Sequence, residues 1–576
     1  MKRRTYMGTT HAVLVVVLPL SSITLLAAAM DPSQLPKWWI AVTAALVGLV
    51  TVAIEAARTG QLTLPAKGFL IVSGVFAIAL IASVTVSNEQ VRAVIGGYSR
   101  WNGAAGYLAY LTLGLLAAAS VVTDERRRRL GTVILATASV VATYAVLQRV
   151  GIDPLPWNNV YAPDSPSFLG NPNFASAFLG IPFPLIVARA FSVRTTKKRF
   201  GLGALALLFL AGLWTTGSWI GLVSISAGLA VMAVLMAVTG EHQRWRRVGA
   251  IAGMSGPLLA VAVVWALWTG VIGVAGTVAT RLYYWKTAWA MFMDHPMIGV
   301  GLGTFEDQFR RYRPVDEFPQ LAAGAFADNP HNVLLALASE GGLLVAIPWL
   351  ILIAGIGAVV VRWVRDQRSD RRPRHDRLTV AAWSGAFCGY LVQALASFDV
   401  PSLAVLGFVI GGVVVALTGN HERIEVPGTS AVHRVLAGVV SMAAVGLIVA
   451  ASIPVTANVE AGEGLRAAAA DDYSAALGAL DTAAERAWWE PRYRFAAGQV
   501  AADVGDVLNA QIRFETTAQR FDQILQPALR SARVAVELGQ MDRAADWYRR
   551  VLALEPNDET LRSEAREIID SATDAP

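Results

Sequence analysis

Cysteine is all but absent from these 576 residues: Cys388 stands alone, so no intrachain disulfide can form. Any part outside a membrane must hold together by packing. Charge is scarce as well, at 16% Asp, Glu, Lys and Arg, where soluble domains carry about a quarter. The seven histidines and the carboxylates nowhere gather at metal-ligand spacing, so no metal site is expected. No cofactor is expected either. The run Gly299–Gly303 (GVGLG) has the glycines of a phosphate loop without its strand–turn–helix setting, and reads as a turn between loop helices. The net charge of +6 lies mainly in short loops, so nucleic acid is not an expected partner. What the chain has in quantity is apolar surface: 55% hydrophobic residues and a mean hydropathy of +0.49, the values of an integral membrane protein.

Apolar runs long enough to cross a bilayer fall near residues 12–29, 38–57, 68–86, 104–122, 130–149, 173–190, 201–216, 218–239, 248–270, 341–363, 378–397, 402–418 and 434–454. The expected fold is therefore all-α, a polytopic bundle of about 12–13 spans over residues 1–455. The first run also has the basic start and small residues of a cleavable signal peptide. Alternate loops carry the basic residues: Lys2-Arg3-Arg4, Arg58 with Lys67, Arg126 to Arg129, Arg194 with Lys197 to Arg199, Arg244 to Arg247, Arg362 through Arg377, then Arg423 and Arg434. Lys and Arg favour the cytoplasmic side of short loops. The N-terminus is thus expected inside, and everything after about residue 455 outside.

Beyond residue 455 the composition turns to Ala, Asp, Glu and Arg at helical spacing. Segments beginning at Asp471, Gly505 and Gly539 repeat every 34 residues, with Ala476, Ala510 and Ala544 in the same small position. Pro491, Pro527 and Pro556 read as ends of the second helices. The period resembles tetratricopeptide repeats, about three of them, forming a helical repeat domain over 456–576. An Ala-rich helical bundle is the plainer alternative. In either form the segment is expected to bind or position a protein partner rather than to catalyse.

On the face expected to lie outside, basic residues occur where membrane insertion gives no reason for them. Arg281, Lys286, Arg310, Arg311, Arg313 and His331 lie in the loop 271–330 and its exit, and Arg100 lies in GGYSRWNG, Gly96–Gly103. A guanidinium binds phosphate oxygens through a planar fork and stays ionised. An imidazole titrates near ambient pH and can take a hydroxyl proton. Each has an ordinary reading too: a helix-start residue for His331, a snorkelling anchor for Arg281, a solvated face for Arg310, Arg311 and Arg313. Trp157, Trp285 and Trp289 read first as interfacial belts. Glu340 lies nine residues beyond His331, so Asp328 is the nearer acid to orient it.

The order of several short elements resembles the O-antigen ligase and O-antigen polymerase superfamily of bacterial membrane glycosyltransferases, a GT-C-like architecture. These elements are GNPN at Gly170–Asn173, Arg281 with Trp285, the His295–Phe305 run, PHN at Pro330–Asn332 and EGG at Glu340–Gly342, within a core of about 165–400. The resemblance implies metal-independent, inverting transfer of a glycan at the outer face of a bacterial plasma membrane. The donor would be undecaprenyl-diphosphate-linked and the acceptor a hydroxyl of a glycan, lipid or protein. It implies His331 as base and Arg281 at the diphosphate, with Arg100, Arg310, Arg311, Arg313, Asn171, Asn332 and Asp328 as further substrate-binding candidates. One departure stands out: many members carry Ser-Arg at the outer start of a middle span, and here TTGSWIG, Thr215–Gly221, has no Arg. A secondary transporter or a membrane scaffold are the rival classes. Against the transporter, the spans hold almost no ionisable residue midway and show no inverted repeat.

Overall fold

A computed structural model describes residues 8–98, 100–155, 160–240, 243, 247, 277–314, 327–366, 374–419, 421–556 and 558–573. The expected span at 248–270, Trp157 and the basic residues Lys2 to Arg4, Arg244 and Arg246 lie outside the described residues. The first part of the chain is a helical bundle: α1 (Gly8–Ile23), α2 (Gln34–Thr59), α3 (Lys67–Val86), α4 (Gln90–Ile95), α5 (Ala104–Ser120), α6 (Asp124–Arg149), α7 (Pro172–Gly180), α8 (Phe183–Ser192), α9 (Thr196–Thr215) and α10 (Ile220–Thr239). It continues through α11 (Thr277–Asp294), α12 (Phe305–Tyr312), α13 (Val333–Asp366), α14 (Arg374–Ala396), α15 (Pro401–Thr418) and α16 (Ser430–Ala469).

Among the described residues, ten helical segments are long and apolar enough to cross a membrane, with α7 and α8 counted as one. The expected spans at 12–29 and 104–122 appear as the shorter apolar helices α1 and α5. The closely joined pair at 201–239 is two helices, α9 and α10. Of these ten, α15 is the most enclosed, 83% buried. Its backbone touches α5: a Cβ on Gly412 would lie 2.1 Å from the Gly114 carbonyl oxygen. With no water to expel between spans, such small-residue contacts and close packing hold membrane helices together. The strands Gln61–Leu64 and Glu422–Glu425 pair antiparallel and tie the α2–α3 turn to the α15–α16 turn.

The 40-residue α16 runs about 60 Å, so the compositional boundary at residue 455 falls inside one continuous helix. It leads into α17 (Tyr473–Arg486), α18 (Pro491–Asp503), α19 (Val507–Arg520), α20 (Leu525–Glu537), α21 (Met541–Leu554) and α22 (Glu559–Thr573). The first helices of the three pairs start at Tyr473, Val507 and Met541, and the second at Pro491, Leu525 and Glu559, each 34 residues apart. The prolines take the opposite role to the expected one. Pro491 opens α18, Pro527 lies in the first turn of α20 and Pro556 precedes α22. A first turn has no intrahelical partner for its N–H groups, so proline begins a helix there at no cost in hydrogen bonds.

Candidate functional site

The loop end of the bundle is built around a break in α13. Gly342 adopts φ 61° and ψ −164° inside that helix. Backbone bonds then clasp the GVGLG run onto the break: Val300 N donates to Ser339 O (2.9 Å), Gly301 N to Glu340 O (2.9 Å) and Leu343 N to Pro296 O (2.8 Å). Gly299, Gly301 and Gly303 all have positive φ, as the close wrap demands. The run is thus a turn between α11 and α12, and it seats α12 on α13. Glu340 accepts from Phe305 N at 3.1 Å and so holds the start of α12. It does not pair with His331.

His331 sits one residue ahead of the α13 cap. Asn332 is that cap: its Oδ1 accepts from Leu335 N (3.0 Å), and its Nδ2 donates to Leu395 O at the end of α14 (2.8 Å). His331 has φ 56°, a left-handed conformation uncommon outside glycine. Its own N–H donates to Asn329 Oδ1 at 2.9 Å. The imidazole stacks on Tyr284 (centroids 5.6 Å apart, 19° between planes) and meets Phe398 edge-on at 4.9 Å. Among the described residues its ring nitrogens make no hydrogen bond. Burial, then the positive charge of Arg100, pushes the His331 pKa down to about 4; Asp328 pulls the other way, and Arg281 adds the smallest push downward. The ring is therefore neutral at pH 7 and open to a proton.

Two arginines act on it through their charge. The Arg100 guanidinium lies 3.9 Å above the Phe398 ring and pairs with Asp328 at 2.5 Å. Asp328, expected to orient His331, thus serves Arg100 instead. Arg281 lies 5.0 Å over the Trp219 ring, and burial lowers its pKa. It has no carboxylate partner among the described residues. Trp219 belongs to TTGSWIG, so Arg281 covers the stretch that lacks its own arginine. Asn171 caps α7 through Asn173 N (2.9 Å) and donates to Tyr161 Oη (3.0 Å). Asn173 accepts from Ser218 Oγ at 2.7 Å, which ties the starts of α7 and α10.

The remaining candidates have other partners. Arg310 and Arg313 both pair with Glu555, which lies just beyond α21. Arg313 and Glu555 are only 3% and 2% exposed in their side chains, so this is a buried joint between α12 and the C-terminal helices. Arg311 stays beside its neighbour Tyr312 at 5.4 Å. Glu306 pairs with Arg492, which also covers Tyr98 at 4.5 Å, and Asp307 pairs with Arg92. Tyr98 shares Asn458 with Tyr493 at 3.1 and 2.9 Å. Trp285 is half-buried, while Trp289 is exposed against Phe292.

Phe398, Tyr284 and Asp399 gave no signal in the sequence, because an aromatic or a lone acid beside apolar runs is ordinary. Phe398 is the hub: besides His331 and Arg100 it meets Phe174 edge-on at 5.0 Å. The next residue, Asp399, accepts from Tyr390 Oη at 3.0 and 3.1 Å. Burial raises its pKa to about 7, with Tyr390 and Tyr107 opposing. Asn102 donates to its carbonyl oxygen. Together these bonds fix the short link between α14 and α15 that carries Phe398.

No curated protein matches the chain. Residues 202–350, which contain Arg281, the GVGLG turn, His331 and Glu340 but neither Gly96–Gly103 nor Gly170–Asn173, match the family model for O-antigen ligase, and this supports a multi-pass membrane enzyme of the glycan ligase and polymerase kind.

Proposed function

We propose that the chain transfers or polymerises a glycan from an undecaprenyl-diphosphate-linked donor onto an acceptor hydroxyl at the outer face of the membrane. The observation that carries the proposal is the neutral His331 imidazole, packed between Tyr284 and Phe398, with Arg100 on the same Phe398 ring and both Arg100 and Arg281 acting on it through their charge. A sugar diphosphate brings its own leaving group. The protein's work is to take the acceptor proton and to hold the charge that develops on the diphosphate. His331 accepts the proton through a ring nitrogen as the acceptor oxygen bonds to the anomeric carbon. The bond from that carbon to the diphosphate oxygen breaks on the opposite face, so the configuration inverts. Arg281 neutralises the departing diphosphate, and no metal is needed. Arg100, held by Asp328, adds positive potential and positions the Phe398 edge of the pocket. Asn171 and Asn332 act by fixing the starts of α7 and α13.

Helix pairs at a 34-residue period support a tetratricopeptide-like module on the same outer side, which would present a surface to a protein partner. The test of function is made in cells lacking the native gene. His331→Ala and Arg281→Ala, each expressed at wild-type level, are expected to leave the lipid-linked glycan untransferred. Normal transfer by both variants would sink the assignment.

A further inference from the structure

A cavity lies at the other ends of the helices that carry the candidate site. It holds about 660 Å³ between the first turns of α6, the end of α8, the start of α9 and the start of α14. The α6 helix of 26 residues spans about 39 Å. At its far end Arg149 donates to Pro163 O at 2.7 Å, near Asp164 and Gly217. The α14 helix likewise ends at Leu395 and Ala396, beside His331 and Phe398. The cavity therefore faces the side opposite the candidate chemistry.

Its lining has two parts. The walls are apolar, with Leu185, Ala188, Leu202 and Trp383, and the mouth is basic, with Arg128, Arg189 and Lys198. Arg127, also at the mouth, is neutralised by Asp124. The other three cations have no carboxylate partner among the described residues. Arg189 is tethered by bonds to Arg128 O (3.0 Å) and Thr132 Oγ1 (3.1 Å), which leave donors of its fork unused. Gly131 makes room for it: a Cβ there would lie 3.0 Å from an Arg189 nitrogen and 3.5 Å from the Trp383 ring.

We propose that this cavity is a binding site for an anionic phospholipid, with the phosphate at Arg128, Arg189 and Lys198 and the upper acyl chain against Leu185, Leu202 and Trp383. Charge and apolarity match one ligand here: a free anion would leave the apolar walls uncovered, and a neutral lipid would leave three cations uncompensated. Lipid binding at this end neither requires nor implies glycan transfer at the other.

The test uses the full chain, delipidated in detergent, offered phosphatidylglycerol or phosphatidylcholine, with bound lipid read by native mass spectrometry. Phosphatidylglycerol is expected to be retained in preference. Each exposed cation removed, Arg128→Gln or Lys198→Gln, is expected to weaken retention about fivefold. Gly131→Leu should fill the cavity and abolish retention; its thermal stability is measured alongside, and the two exposed-cation variants keep the test valid if it misfolds. Equal retention of the two lipids, unchanged retention when Arg128→Gln and Lys198→Gln are combined, or displacement by inorganic phosphate alone would each overturn the proposal.

Discussion

At His331 the protein keeps an imidazole neutral by surrounding it with rings and positive charge. A base that is unprotonated down to pH about 4 is already in its working form at neutral pH, though weaker than a free histidine. If it takes the acceptor proton, the acid limb of transfer should fall near pH 4 rather than near histidine's usual 6.5. Arg100→Gln should move that limb upward, because the imidazolium then forms against less positive charge and Asp328 is left unpaired. A pH–rate profile of both proteins checks this. The same shift bears on stability. The unfolded chain takes up the proton first, so the His331 contribution is present above pH 6.5 and is lost as pH falls toward 4.

Within the elements, the break at Gly342 decides where α12 lies. A Cβ at Gly342 would meet the Met297 carbonyl carbon at 2.4 Å in a left-handed backbone. Gly342→Ala should therefore cost about 1–3 kcal/mol from the backbone alone, lower Tm and loosen the turn that seats α12. The joint of Arg310 and Arg313 with Glu555 is buried, and removing one member of a buried pair costs about 3–5 kcal/mol. Glu555→Ala should thus unseat α21 and α22 from α12. Hydrogen exchange should rise in Phe305–Tyr312 and Met541–Leu554 while the spans stay protected; unchanged exchange in α12 would count against the joint. The sequence marks Arg310 and Arg313 as unexpected charge but gives no hint of Glu555, because a partner more than two hundred residues away is set only by how α16 turns the last helices back. Phe398 is hidden for the same reason. Arg281, Arg100 and His331 stand out in sequence because charge on that side of a membrane protein needs a cause. The aromatic rings that hold them carry no such mark.

At the scale of the whole molecule, spans are legible because length and apolarity decide them, and the 34-residue period because repeated helix pairs need repeated small positions such as Ala476, Ala510 and Ala544. Sidedness rests on the placement of Lys and Arg. The lone cysteine makes it measurable. With Cys388→Ser as background, Asp506→Cys should react with an impermeant thiol reagent in intact cells, and Lys197→Cys only after permeabilisation. The reverse pattern would put the candidate site on the cytoplasmic face, where the proposed donor is not expected.

The most direct test of the central claim separates the two roles in reconstituted proteoliposomes, by measuring donor binding and transfer for the same variants. His331→Ala should bind the lipid-linked donor with unchanged Kd and lose transfer by about 10²–10⁴-fold, the range of a general base. Arg281→Ala should lose donor affinity itself. Wild-type transfer by His331→Ala, or wild-type donor binding by Arg281→Ala, would contradict the account.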